Sequence, residues 1–276
     1  MQQPAIGARF LIRKRKAFRI RMLETVAMGQ RGTEMARDLA DVVLLDDDFG
    51  SIVAAVENGR TLRANLQKAL RFLLATNLAE VLVTFGATIL GRAQPLSALH
   101  LLWINLISDV VPALALGMEP ADPGVMRRPP PVPGAPLLTR DDFATTALDA
   151  SIMAAATLGA FGITMGRSGD SRRASTVAFS TISVGQLLYA LACRSGERSG
   201  LRGLPDNPVL VAGIGGMLAL QGATLVVPPL RALLATSVLG VADLAVVGAG
   251  AVAPLVVREA LKTRRFPEQP QGVRDA

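Results

Sequence analysis

Apolar residues dominate six stretches of the chain, at about 66–90, 98–118, 143–165, 175–192, 209–227 and 233–257. Each is close to the roughly 20 residues that a helix needs to cross a hydrocarbon core. Polar segments rich in Gly, Pro and Arg separate them. Upstream the pattern changes. Gly32 and Thr33 lead into a short helical stretch at Glu34–Leu39, and residues 41–45 (DVVLL) read as a short buried strand. Asp46, Asp47 and Asp48 end that strand, and Asp48 is placed to cap a helix starting near Phe49. Three adjacent aspartates do not converge on one ion without a partner loop, so they read as an acidic turn and a cap. The pattern predicts an α-helical polytopic membrane protein with six spanning helices, preceded by a small α/β piece. The divisions are a basic segment 1–25, the α/β piece and its helical lead at 26–64, the membrane domain 65–257 and a tail 258–276.

Charge adds an orientation. The chain carries a net charge of +7, but its arginines lie in blocks between the apolar runs. Arg60, Arg63, Lys68 and Arg71 stand at the mouth of the first span. Arg127, Arg128 and Arg140 lie in the second loop, Arg194, Arg198 and Arg202 in the fourth, and Arg258, Lys262, Arg264 and Arg265 follow the sixth span. The odd-numbered loops hold Arg92, then Arg167, Arg172 and Arg173, then Arg231. Positively charged loops stay on the cytoplasmic side, so both termini are expected there, in a multi-pass protein of the cell membrane. The dense block from Arg13 to Arg21 reads as solvated or lying on an anionic lipid surface. Half of the residues are apolar, 18% are charged and 4% are aromatic, so the expected partner is the lipid bilayer and nucleic acid is not. A single cysteine, Cys193, excludes an internal disulfide framework and a cysteine-rich metal site. No leader with an apolar core and a small-residue cleavage site is evident.

Several polar residues interrupt the apolar runs. The first span carries Asn77 and Glu80, three apart and so on one helical face. The second carries Asn105, Ser108 and Asp109, again on one face, followed by Pro112, which removes a backbone donor. Two spans joined by so short a loop are antiparallel neighbours. Glu80 and Asp109 are therefore expected to converge at mid-membrane with Asn77, Asn105 and Ser108, offering the oxygen ligands that hard cations take. Ionisable groups inside a membrane are expensive and mark functional sites. The competing reading is hydrogen bonding between helices. Gln186 in the fourth span is a further oxygen donor open to both readings. Asp149 is expected to reach the interface, His100 to be interfacial, and Asp243 to lie deeper in the sixth span with no assigned role. Near it, Ala242, Ala245, Gly248 and Gly250 are small enough to admit another helix.

These residues sit in longer motifs. AMGQRGTEMAR, ADVVLLDDDF, TNLAE, LLWINLISD and ALGMEPADPGVMRRPP follow one another in order between Val26 and Pro131. The chain there resembles the P-type cation-transporting ATPases, on the calcium and sodium/potassium branch, and the likeness continues more weakly to about Arg265. The resemblance implies that 26–58 are a remnant of the phosphorylation domain, that residues near 59–70 are a stalk, and that the six spans are the fifth to tenth helices of a pump. It implies a cation site containing Asn77, Glu80, Asn105, Ser108 and Asp109, with Gln186 as an additional ligand and Glu80 and Asp109 as the metal-binding carboxylates. The transported cation falls in the calcium, sodium, potassium or magnesium class. No Cys-Pro-Cys-type motif for soft metals is present.

The chain also departs from that family. It contains no Asp-Lys-Thr-Gly motif for phosphorylation, and FRIRMLET stands where a Thr-Gly-Asp-Gly-x-Asn-Asp hinge is expected. Residues 1–25 match nothing in the family. ATP and magnesium would therefore act only through domains this sequence does not contain, and the chain alone is not expected to hydrolyse ATP. A separately encoded N-terminal ATPase half is the partner this implies. The alternative is a non-enzymatic membrane protein, whether a passive cation-binding module, a regulatory subunit or a truncated gene product.

Overall fold

The computed structural model describes residues 10–12, 25–91, 93–122, 124–130, 132, 134–194 and 207–265. The basic block from Arg13 to Arg21, Arg92, Arg198, Arg202, the side chains of the basic residues after 257 and the tail beyond 265 lie outside the described residues. The chain forms two compact units, Met1–Arg63 with Ala121–Pro130, and Ala64–Pro120 with Pro131–Ala276.

The first unit contains a three-stranded sheet in the order β1 (Phe10–Ile12), β3 (Val42–Leu44), β2 (Val26–Met28). β2 and β3 are parallel, with Val26 opposite Val42, and β1 joins β3 antiparallel. Parallel neighbours need a crossover, and α1 (Glu34–Leu39) supplies it. Thr33 caps α1 by accepting from the Ala36 amide at 3.2 Å. The single strand expected at 41–45 is thus the middle of a sheet, and one of its partners comes from the basic segment 1–25, expected to be solvated or to lie on a membrane surface. The three aspartates all hold backbone or a neighbouring hydroxyl. Asp48 accepts from the Gly50 amide, Asp46 from Ser51 Oγ, and Asp47 from the amides of Gln30 and Arg31 at 2.8 and 2.7 Å. The Arg60 guanidinium donates to the carbonyls of Val125 and Arg128, which anchors the 121–130 segment within this unit.

Helix α2 runs without a break from Phe49 to Ile89, 41 residues or about 60 Å at 1.5 Å per residue. The expected lead helix and first span are therefore one element. In the second unit α2 is followed by α3 (Ala98–Trp103), a π turn (Ile104–Ser108) and α4 (Val110–Gly117). Then come α5 (Arg140–Ser168), α6 (Ser171–Cys193), α7 (Pro208–Val226), α8 (Pro228–Leu233) and α9 (Val241–Arg265). Among the described residues, five helical stretches have the length and apolarity to cross a bilayer: α2, Ala98–Gly117, α5, α6 and α7. α9 is apolar over the shorter stretch Val241–Val257.

The expected sixth span at 233–257 starts later than its hydropathy suggests. α8 ends at Leu233, Ala235 turns with a φ of 51°, and the chain stays non-helical until Val241. Asp243 consequently lies in the first turn of α9 and not deep within a span. Its Oδ2 accepts from the Gly240 amide at 2.9 Å and from Arg173 Nε at 2.8 Å. Asp149 and His100 are also buried, against the interfacial expectation. Tyr189 donates to Asp149 Oδ2 at 2.7 Å. His100 Nε2 donates to the Leu234 carbonyl at 2.8 Å while the ring stacks on Phe179 at 4.3 Å. Satisfied partners inside the protein outweigh exposure to an interface for these groups.

α6 is the central element. It packs against α5 and α9, and α4 packs against α7. Phe72, Ala75 and Ala79 of α2 join Leu116, Met153, Leu187 and Leu210 in the main apolar cluster. A buried polar knot fixes one end of this bundle. Arg194 meets Glu119 Oε1 through Nε and Nη2 at 2.7 and 2.6 Å. Asn207, which caps α7, donates to the other carboxylate oxygen, and Asn65 donates to the Glu119 carbonyl at 2.6 Å.

Candidate cation site

The buried stripe of α2 runs Phe72, Ala75, Thr76, Ala79, Glu80, Val83, which is helical spacing. Glu80 therefore points into the bundle among small side chains. Across from it the α3–α4 span does not keep a regular turn. The Asp109 amide donates to the Ile104 carbonyl, five residues back, at 2.9 Å. A π turn of this kind recurs at functional sites because it re-aims side chains within a helix. α4 restarts at Val110, so Pro112 falls in its first turn, where a proline is tolerated. Ser108 and Asp109 are buried at 1% and 2% exposure.

One continuous network joins the two carboxylates. Asn105 Nδ2 donates to Glu80 Oε2 at 2.6 Å, and Gln186 Nε2 donates to Glu80 Oε1 at 3.1 Å. The same Gln186 nitrogen lies 3.4 Å from the Thr76 carbonyl, and Thr76 Oγ1 donates to Asp109 Oδ2 at 2.9 Å. Three helical spans thus meet through α2, the π turn and α6. Three buried oxygens at this junction, Ser108 Oγ, Asp109 Oδ1 and Gln186 Oε1, bond to no protein group among the described residues. Buried polar atoms are ordinarily partnered, so a set of unpartnered acceptors beside two carboxylates is suited to a positive guest.

Residues 93–264, more than half of the chain, match the family model for the C-terminus of cation transporting ATPases. The chain belongs to this family. Its relatives include calcium-transporting ATPase 1 of Yarrowia lipolytica, 34% identical over 79% of the chain and 24% of that protein. Calcium-transporting ATPase 1 of Bacillus cereus is 35% identical over 86% of the chain and 28% of its own length. Calcium-transporting ATPase type 2C member 2 of Mus musculus is 33% identical over 86% and 25%. The chain spans about a quarter of the length of these relatives, and it is the C-terminal part of a P-type cation ATPase.

Within this ATPase C-terminus the six residues singled out from sequence fall into two groups. Glu80, Asn105, Asp109 and Gln186 are joined by the network, directly or through Thr76, and Ser108 is buried next to Asp109. Asn77 is separate: it is exposed, and its amide donates to the Leu73 carbonyl at 2.7 Å. Thr76, which the sequence reading passed over, holds Asp109 instead. Its signal was available, since it lies four residues before Glu80 and so on the same face. Among the described residues no group of three His, Cys, Asp or Glu side chains is placed to hold a metal, so any cation here relies on amide and hydroxyl oxygens beside the carboxylate pair.

Proposed function

We propose that this chain supplies one side of the intramembrane cation site of an ATP-driven pump, and that calcium is its cargo. The observation that carries the reading is the set of buried, unpartnered oxygens of Ser108, Asp109 and Gln186 beside Glu80. Oxygen donors of mixed charge suit hard cations. Calcium is favoured within that class by the names of the relatives. Asn77 belongs to the same site, on the open side of α2 where a further helix of the pump would complete the ligand set. Phosphoryl transfer needs a nucleotide cradle, magnesium and a nucleophile. In this proposal those lie in the remaining length of the pump, supplied by an N-terminal ATPase part. Both termini of the chain are cytoplasmic, as the arginine blocks imply.

The test is calcium-stimulated ATP hydrolysis and calcium uptake in everted vesicles, with the chain produced together with the N-terminal part of a calcium-transporting ATPase. The chain alone gives no turnover, and the pair gives uptake. Glu80→Gln and Asp109→Asn each lower apparent calcium affinity by more than the ~10-fold typical of an outer-shell partner. Unchanged affinity in both variants, or turnover by the chain alone, would overturn the proposal. Sodium, potassium and magnesium in place of calcium identify the cargo in the same assay.

A further inference from the structure

A second set of buried polar atoms lies away from the carboxylates. Trp103 Nε1, Ser180 Oγ, Ser183 Oγ and both side-chain amide atoms of Gln221 are buried and bond to no protein group among the described residues. Their residues are 8%, 1%, 0% and 3% exposed. The two serines share with Thr164 and Thr181 the lack of a bond that other helical hydroxyls make. Ser151, Thr157 and Thr176 each donate to the carbonyl four residues earlier, at 2.7 to 2.9 Å. Ser180 and Ser183 have no such bond.

Helix packing brings these atoms to one interface. α6 and α7 run antiparallel. Near one end, Leu187 and Ala190 of α6 share a cluster with Leu210, Ile214 and Met217 of α7. Going towards the start of α6, the matching positions on α7 run towards its end. Ser183 and Ser180 therefore come to the level of Gln221. The far end is closed by bonds between threonine hydroxyls and the backbone, from Thr236 Oγ1 to the Thr224 carbonyl and from the Ser237 amide to Thr176 Oγ1. Trp103 enters from α3, in a cluster with Leu220, Phe179 and Ile182, which flank Gln221, Ser180 and Ser183 in sequence. The indole N–H, two serine hydroxyls and one amide, four donors and three acceptor oxygens in all, thus fall at one interface with no direct bond between them. A buried amide left dry is costly, and buried polar sites with several partners ordinarily hold ordered water.

We propose that the α3–α6–α7 interface binds a cluster of internal waters held by Trp103, Ser180, Ser183 and Gln221. Its ligand is water itself, and it is distinct from the carboxylate pair. Ser183 is three residues from Gln186 on the same side of α6, so the cluster borders the cation network. Trp103 and Asp109 flank the π turn on either side. The waters give that turn a hydrated wall.

Trp103 is the only tryptophan in the chain, so its indole N–H gives a single resonance in the intact, indole-labelled protein in micelles. A cross-relaxation peak between that N–H and water, in the wild-type chain, is the expected result. It is lost in Gln221→Leu or in Ser180→Ala, the second and smaller change guarding against a variant that fails to fold. An absent peak in the wild type overturns the proposal, and so does a peak that survives in both variants.

Discussion

At the residue scale, Asp47 shows how one carboxylate can organise a turn. Its φ of 53° lies in the left-handed region, which aspartate tolerates better than most residues. Both oxygens are used by the amides of Gln30 and Arg31. Donation from the Gln30 amide, then that of Arg31 with its charge, holds the carboxyl below its ordinary value of 3.8. A depressed carboxylate stabilises the fold above its unfolded pKa, and that contribution is lost as pH falls through the folded value. The β2–α1 turn is therefore expected to lose hydrogen-exchange protection at the Gln30 and Arg31 amides as pH is taken below 3.8, after correction for intrinsic exchange. Asp47→Asn should weaken protection already at neutral pH and flatten that acid dependence. An Asn variant that keeps the wild-type profile would remove Asp47 from this role. The acidic turn and the Asp48 cap were legible because caps and turns are local. The α2 face was less so. Asn77 and Thr76 are both within helical reach of Glu80, and only the stripe Phe72, Ala75, Ala79, Val83 decides that Thr76 turns inward. A polar amide drew the eye where a threonine on the small-residue stripe was the better guide.

At the scale of elements, hydropathy located the spans and missed their interruptions. The π turn has no compositional mark in LLWINLISD, because a shift of the hydrogen-bond ladder by one residue changes no apolar count. The break between α8 and α9 did have one. Pro228 and Pro229 suit a helix start, and Gly240 next to Asp243 suits another, but an apolar run from 233 concealed them. The knot at Glu119 also eluded sequence reading, since its members lie at 65, 119, 194 and 207 and meet only through packing. Its energetics follow from burial. Both side chains of the Glu119–Arg194 pair are 7% exposed. Removing one partner leaves the other charge buried, at a cost of about 3–5 kcal/mol, whereas replacing both by apolar residues of similar volume is close to neutral. Glu119→Ala should therefore lower the unfolding temperature of the purified chain steeply, and Glu119→Leu combined with Arg194→Met should recover most of the loss. If the double variant is as unstable as the single one, the pair contributes through something other than charge compensation.

At the scale of the whole membrane unit, α6 is enclosed on nearly every side, with 78% of its apolar window buried, against 28% for α7. An enclosed helix cannot be held by lipid-like side chains alone. Helices in a membrane gain little from apolar burial against one another and rely on close approach through small residues. The α6–α9 seam uses that route at particular positions. A Cβ at Gly250 would lie 2.7 Å from Thr181 Cγ2, and one at Gly185 would lie 3.5 Å from the Ala251 backbone, while a Cβ at Gly248 meets nothing within 4 Å. The small residues of α9 were visible in the sequence, but which of them faces α6 was not, because a run such as VVGAGAVA is small on every face. The three-dimensional placement separates two glycines two residues apart. Gly250→Ala should cost about 1–3 kcal/mol by overpacking. Gly248→Ala should stabilise by up to about 1 kcal/mol, because alanine is the better helix former and has open space there. Thr181→Ser removes the methyl that the new Cβ would strike, so in combination with Gly250→Ala it should return most of the lost stability, a coupling that distant sites do not show. Thermal unfolding of the wild type, the three single variants and the double variant in one detergent reads this directly. Equal effects at 248 and 250, or a double variant that is simply the sum of its parts, would mean that α9 does not dock on α6 through Gly250.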